Sequence, residues 1–433
     1  MPFHWASDMN PSFALARKLV ARGHAVHYLG IADIEERVVA EGFDFTPVFD
    51  AAFPRGSLAA QAARAAAGRP DGADAFRARV RATCDALRGG ELIRKTRTAR
   101  ADCLVVSSGT PWVGIAAPAT DLPVLNFAST LISMEDPLVP PFKHFLVPDG
   151  SLRFRIRTKL AWKRLFLAQR LFGRAWDVSN ELRSLARSLR FPLERIDFRV
   201  QTWPRLLLPE LVFCPREFDF PRERPPVGAA FVEPSIDLRR HGTAFPWHEI
   251  AEEKPLVYCS LGTIAVSWPE RVRPFLQTFL DALSLDPSHQ GVVAIGSALQ
   301  KEDLRCPPNA VVVSEAPQID VLRRAALFVT HGGFNSVKEA IHFGVPMLVA
   351  PLFYDQPGNA ARVVHHGLGA RANFRRITAP ELRALIDRTL SDGRCRACVE
   401  RMSATFVEAE KRAPSIEVIE EVMAGRRATP LPC

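Results

Sequence analysis

Residues 330–361, THGGFNSVKEAIHFGVPMLVAPLFYDQPGNAA, concentrate side chains that could do chemistry. The apolar run LFVT predicts a buried strand that delivers His331 at its carboxyl end. Gly332 and Gly333 let the backbone turn tightly and approach a ligand. Asn335 and Ser336 then open a helix whose first amides lack partners and lie at the positive end of the helix dipole. At the carboxyl edge of a parallel sheet, that combination is a cradle for a diphosphate. His331 can add a hydrogen bond or a positive charge to it. Glu339, one turn beyond Asn335 on the same side, can accept two ribose hydroxyls. The next apolar run, PMLVA, carries Asp355 and Gln356 to the same edge. An acid beside an amide suits hydrogen bonding to sugar hydroxyls.

The surrounding pattern supplies such a sheet. From 255 onward, strands are expected at 255–261, 292–295, 311–313, 327–330 and 346–350. Helices are expected between them at 269–285, 320–325 and 335–343, and afterwards at 379–390 and from about 396 to 425. Strands alternating with helices predict a parallel, doubly wound sheet. The amino-terminal half repeats the theme less clearly. Asn10-Pro11-Ser12 signals a helix start, with Gly23 ending the helix and a strand at 25–29. The first strand should precede that helix, and residues 1–5 read as its remnant. Either this strand is unusually short or the natural start lies upstream. Further buried strands are expected at 103–107 and 124–127. The Pro-rich stretch near 219–235 lacks periodicity and reads as a linker. The expected division is therefore 1–220, a linker at 221–240, and 241–433.

Composition fits this reading. A chain of 433 residues with 47% hydrophobic and 24% charged content suggests two domains. No secretory signal or run of 18 apolar residues is evident, so a cytoplasmic protein is expected. The eight cysteines are mostly scattered singly among apolar neighbours and read as reduced thiols. Cys395 and Cys398 form one CxxC without the further ligands that zinc needs, and no metal is expected. Net charge is +9, which attracts phosphates, anionic lipids or nucleic acid without choosing among them. Its distribution is more informative. Residues 150–176 hold eight Arg or Lys and no Asp or Glu, interleaved with Leu, Phe and Trp. That pattern suits a solvated helix packing one side on the core. It also suits peripheral contact with an anionic membrane, or an apolar acceptor. No nucleic-acid reading motif accompanies it.

The string HGG, N-S, E-A, G-V-P-M, P, D-Q, N-A closely resembles the donor-binding signature of family 1, UDP-glycosyltransferase-like enzymes. The resemblance extends more weakly over nearly the whole chain. Tyr258-Cys259-Ser260-Leu261-Gly262-Thr263 resembles the family's strand and loop facing the nucleotide. Ala316-Pro317-Gln318 resembles the loop holding base and ribose. Asn10-Pro11 through Arg22-Gly23-His24 resembles the first helix of the acceptor domain. The resemblance implies an α/β chain of GT-B architecture: two Rossmann-like, doubly wound parallel-sheet domains facing a cleft, with a final helix crossing back. It further implies that His331, Gly333, Asn335 and Ser336 hold the diphosphate, and Glu339 the ribose. Gln318 and the backbone near Ala316 would hold the base, with Ser260, Gly262 and Thr263 close by. Asp355 and Gln356 would hold the sugar. A nucleotide sugar is then a co-substrate, and no separate cofactor is expected.

Two departures stand out. Plant relatives carry a Trp that stacks on uracil just before A-P-Q, where this chain has Glu315; dTDP donors therefore stay open beside UDP. The family's catalytic His falls at Asp8, and its partner Asp near Ser107 or Ser108. Asp8, or else His4, is the candidate base, and Asp8 could equally cap the first helix. The expected function is inverting, metal-independent hexosyl transfer from a nucleoside diphosphate to a hydroxyl of a small, apolar acceptor such as a lipid, terpenoid, polyketide or phenolic. The missing dyad leaves a catalytically silent homologue acting as a partner as the alternative, with a sugar-nucleotide epimerase behind it.

Overall fold

The computed structural model describes residues 6–66, 71–201, 203–240, 242, 244–262 and 268–426. The expected strand remnant at 1–5, with His4, lies outside these residues, as does Thr263. In the amino-terminal half, β1 (His27–Gly30) pairs in parallel with β2 (Asp44–Pro47). Next come β3 (Leu104–Ser107), β4 (Val124–Ala128), a small antiparallel pair of β5 (Ile196–Asp197) with β6 (Arg205–Leu206), β7 (Glu210–Val212) and β8 (Ala229–Phe231). Strands β3, β4, β7 and β8 form one parallel sheet in that order. Both faces are covered, as a parallel sheet requires. Leu125, Phe127 and Leu211 meet Leu15 of the first helix and Ile416 and Ile419 of the last one. The opposite side is closed by a cluster that includes Val106, Val124, Trp112 and Leu185.

Three expectations are corrected here. The stretch 221–240 is not all linker, because β8 lies within it. A three-residue apolar run between prolines gives no periodicity to read, yet pairing with β7 suffices to hold it. The first helix runs Ala6–Ala21, starting four residues before the Asn10-Pro11 signal, so Pro11 lies inside it. The expected helix at 396–425 is two helices, Gly393–Arg412 and Pro414–Met423. Ala413 between them has a left-handed φ of 46°, and Pro414 takes the first position of the second. A proline there cannot continue the preceding helix but is well suited to starting the next.

The carboxyl-terminal half is one six-stranded parallel sheet. Its strands are β9 (Leu256–Ser260), β10 (Gln290–Ala294), β11 (Ala310–Val313), β12 (Ala325–Thr330), β13 (Met347–Val349) and β14 (Gly369–Arg371). Their order is β11-β10-β9-β12-β13-β14. The chain winds outward from β9 to β11, then returns to lay β12 on the other side of β9. Such a reversal opens a crevice beyond the carboxyl ends of the two strands.

Buried polar contacts tie the halves together. Arg362 donates to Asp219 Oδ1 from Nη2 at 2.6 Å, and Arg222 Nε reaches Oδ2 at 2.8 Å. Burial alone would raise the Asp219 carboxyl, but the two guanidinium groups outweigh it and hold it below its ordinary value. Lys338 is buried and donates to the carbonyls of Phe213 and Pro234 at 3.2 and 2.8 Å. Among the described residues, no helix is long and apolar enough to cross a membrane.

Candidate active site

At the reversal point, Ser260 of β9 lies opposite Thr330 of β12. His331 follows at once and is buried. Its ring is pressed between two glycines. A Cβ on Gly262 would stand 2.4 Å from Cε1, and one on Gly333 would stand 2.5 Å from Nε2. Gly262 also has φ +69°, a conformation L side chains disfavour. Both positions therefore need glycine if the imidazole is to keep its place. Burial pushes His331 down to about 4, with the Ser260 backbone opposing it, and Nδ1 makes no hydrogen bond of good geometry. The ring is neutral near pH 7 and can act as a donor toward an anion.

The helix Phe334–His342 begins at Gly333 without a side-chain cap, leaving its first amides at the mouth of the crevice. Ser336 Oγ accepts from Gln318 Nε2 at 3.3 Å. Gln318 opens the short helix Gln318–Leu322, two residues earlier than its sequence suggests, and its Oε1 accepts from the Tyr258 hydroxyl at 3.4 Å. Ala316 is buried just before it. Glu339 accepts from Gln318 and, through both oxygens, from the Arg240 guanidinium at 3.1 and 3.3 Å. The carboxylate expected on the ribose is thus occupied by a side chain from the 221–240 stretch. Asn335 also departs from expectation. Its Nδ2 donates to the Ser7 carbonyl at 3.0 Å. Pro11, four residues on, has no N–H to give that carbonyl, so the cross-cleft amide takes its place.

Asp355 lies beyond β13, just after Tyr354, which holds a left-handed φ of 54°. Asp355 Oδ2 accepts from Asn359 Nδ2 at 3.0 Å and, across the cleft, from Thr130 Oγ1 at 3.4 Å. Burial pushes its carboxyl up, against the Asn359 hydrogen bond. Gln356 is engaged by its own loop. Its Oε1 accepts from the amides of Leu352 and Phe353 at 2.8 and 3.0 Å. Asn359, which the sequence reading left out of the site, also donates to the Gly332 carbonyl at 2.9 Å. It therefore clamps the glycine turn to Asp355.

Asp8 is buried in the first turn of its helix. Its Oδ2 accepts from the Ser107 hydroxyl at the end of β3, and its Oδ1 from the Ser129 hydroxyl just after β4. Ser107 Oγ in turn accepts from the Gly109 amide at 3.0 Å. Ser108 instead reaches Glu210 at 2.6 Å and stands apart from Asp8's partners. The cap alternative is displaced, because the helix already starts before Asp8 and its carboxylate reaches across to two strand ends. Ser129 touches Asp8 and its neighbour Thr130 touches Asp355, so consecutive residues connect the acid of one half to the acid of the other. Arg240, Ser129, Thr130 and Asn359 carried little sequence signal. The first three sit in stretches without periodicity, and only Asn359 belongs to a recognisable string.

Residues 217–408 match the protein family described as UDP-glucoronosyl and UDP-glucosyl transferase. The chain is 30% identical over 248 residues to NDP-glycosyltransferase YjiC of Bacillus subtilis (strain 168), covering 56% of this chain and 62% of that protein. It is 28% identical over 370 residues to zeaxanthin glucosyltransferase of Pantoea ananas, covering 83% and 80%. The chain spans less than two thirds of the first Bacillus relative's length. Among solved structures, the glycotransferase of kitacinnamycin superposes with a TM-score of 0.69 at 24% identity, covering 96% of each chain. That likeness establishes the fold as GT-B.

Proposed function

We propose that the chain, whose residues 217–408 match the UDP-glucoronosyl and UDP-glucosyl transferase family, transfers a sugar with inversion, without a metal, from a nucleoside diphosphate to a hydroxyl of a small apolar acceptor. UDP is the leading nucleotide, and dTDP stays open. The name of the Pantoea ananas relative, a zeaxanthin glucosyltransferase, favours an apolar acceptor. The place of action would be the cytoplasm, at the inner membrane face in so far as residues 150–176 meet lipid.

The roles follow from chemistry. The first amides of the helix Phe334–His342, with Gly333, Ser336 and neutral His331, would hold the diphosphate. Asn335 would support the same turn through Ser7. Gln318 and the backbone at Ala316 would face the base, and Ser260 and Gly262 would flank it. Glu339 would take the ribose hydroxyls once Arg240 yields. Asp355 and the Gln356 amide would hold the sugar. In the reaction the acceptor oxygen bonds to C1 of the sugar as the bond from C1 to the diphosphate breaks. Asp8 takes the hydroxyl proton. The helix amides and His331 stabilise the negative charge gathered on the leaving diphosphate.

The observation that carries this reading is the line Asp8–Ser129–Thr130–Asp355, which sets a buried carboxylate across the cleft from Asp355, the acid proposed to hold the sugar. The test is acceptor-dependent release of nucleoside diphosphate with EDTA present. UDP-glucose, UDP-glucuronate and dTDP-sugars are offered with phenolic, terpenoid and lipid acceptors. A second reading, a catalytically silent partner, is favoured by the Arg240–Glu339 pair, which engages the carboxylate proposed for the ribose. Tight nucleotide binding without acceptor-dependent release would favour it.

A further inference from the structure

The helix Leu152–Phe172 is apolar on two opposite sides. One side belongs to the fold: Phe154, Thr158, Ala161, Trp162 and Leu165 are buried, and Trp162 Nε1 donates to the Val139 carbonyl at 2.8 Å. The other side holds Leu152, Ile156, Leu160, Leu167 and Leu171, which are 72, 52, 45, 56 and 59% exposed. At about 100° per residue these five fall in one stripe roughly 100° wide, facing away from the buried row. Phe172 closes the helix at 81% exposure. So many large side chains in water along a single stripe need an explanation beyond ordinary surface composition.

The charges say what covers it. The helix contains seven Arg or Lys and no acid. On the same helical projection Arg153, Arg157 and Arg164 lie at or just beyond one edge of the stripe, and Lys159, Lys163 and Arg170 within about 20° of the other, while Arg155 pairs with Glu223. A leucine stripe between two cationic rows matches a layer that is apolar below and anionic above. A second copy of the chain would set two such cationic rows against each other. We propose that this face docks on the surface of an anionic phospholipid bilayer, with the leucines at the acyl boundary and the cations among phosphates. Residues 129–148 run from the cleft, where Ser129 and Thr130 meet the two acids, to the face that seats this helix at Val139. Docking would therefore bring the acceptor side of the cleft close to the bilayer. Only that last consequence rests on the transferase reading.

The test is sedimentation of the full-length chain with phosphatidylcholine vesicles and with equimolar phosphatidylcholine–phosphatidylglycerol vesicles, at low and raised salt, without donor or acceptor. Binding to the mixed vesicles alone, weakened by salt, is expected. The exposed double substitution L167E/L171E should weaken it by at least about tenfold, with circular dichroism and thermal unfolding unchanged. The pair Arg157→Gln and Arg164→Gln should flatten the salt dependence. Equal binding to both vesicles, no binding to the mixed ones, or binding indifferent to L167E/L171E would overturn the proposal. So would a concentration-dependent dimer abolished by L167E/L171E, which would assign the face to a second copy. Nucleotide release assayed without vesicles is unaffected by these substitutions, so the two readings fail separately.

Discussion

The Asp8 carboxylate and the Ser107 hydroxyl, 99 positions apart, meet in a buried hydrogen bond. The family resemblance places a histidine at the first of these positions and its acid at the second or at the adjoining Ser108. Here the acid sits on the helix and a hydroxyl stands at the strand end. Ser129 occupies the carboxylate's second oxygen. Two hydroxyls, one on each oxygen, fix the orientation of the group.

Asp8→Asn removes the proposed base while keeping a side chain that both serines can meet. The expected result is a fall in kcat of about 10²- to 10⁴-fold, the range of general-base assistance, with nucleotide affinity unchanged. Ser107→Ala should lower kcat by less, because it loosens the carboxylate rather than removing it. Steady-state kinetics and nucleotide titration of both variants check this. Full activity in Asp8→Asn would move the base elsewhere.

Arg240 makes a second prediction. Arg240→Leu leaves Glu339, which is 4% exposed, without its bidentate partner. Breaking a buried pair from one side destabilises by about 3–5 kcal/mol, less here because Arg240 is partly exposed. The melting temperature of the nucleotide-free variant should fall. UDP should then raise it by more than in the parent, since ribose hydroxyls return partners to Glu339. Equal shifts in both proteins, read by thermal unfolding, would place the ribose away from Glu339.

These two pairs also mark how far the sequence was legible. His331, Gly333, Glu339 and Asp355 fall where the string from 330 to 361 puts them, because each is fixed by local chain geometry: a strand end, a tight turn, a helix turn, a second strand end. Gln318 needed only a two-residue shift. The partners were not legible. Ser107 and Ser129 reach Asp8 only because β3 and β4 lie side by side, and Arg240 reaches Glu339 only because the chain from β8 folds back over the crevice. Single hydroxyls and arginines carry no period, so nothing local announces them. Proline gave a false boundary at Pro11, where the missing N–H was made good by Asn335 from the other half.

Acidification should weaken the fold through His331, which is buried, and His366, which is partly buried. His331 and His366 are each pushed down to about 4, chiefly by burial, and His366 Nε2 lies 3.0 Å from the Phe218 carbonyl. An unfolded histidine titrates near 6.5. The unfolded chain thus takes up protons first as pH falls, and stability present above about 6.5 is lost progressively toward pH 4. For His331 the full loss is on the order of 3 kcal/mol. Urea unfolding across this window should show the decline, and His331→Gln should make it shallower. An identical slope in that variant would mean the imidazole is not buried as described.

The His331 imidazole occupies the space that a side chain on Gly333 would take. Its φ is −60°, which any residue adopts, so a side chain there strains nothing but its neighbour. The neighbour is the His331 ring, 2.5 Å from where a Cβ would stand. Gly333→Ala should therefore displace the ring while leaving the turn and helix in place. Overpacking of this kind destabilises by about 1–3 kcal/mol. The affinity for UDP should fall with it, because the diphosphate loses the His331 donor and meets a methyl at the helix mouth. Gly262→Ala presses the same ring and must also hold φ +69°, so it should be the more destabilising of the two. Unfolding free energies and UDP dissociation constants for the two variants decide it. Nucleotide affinity unchanged in Gly333→Ala, with the expected loss of stability, would remove the imidazole from the diphosphate site and leave it a packing residue.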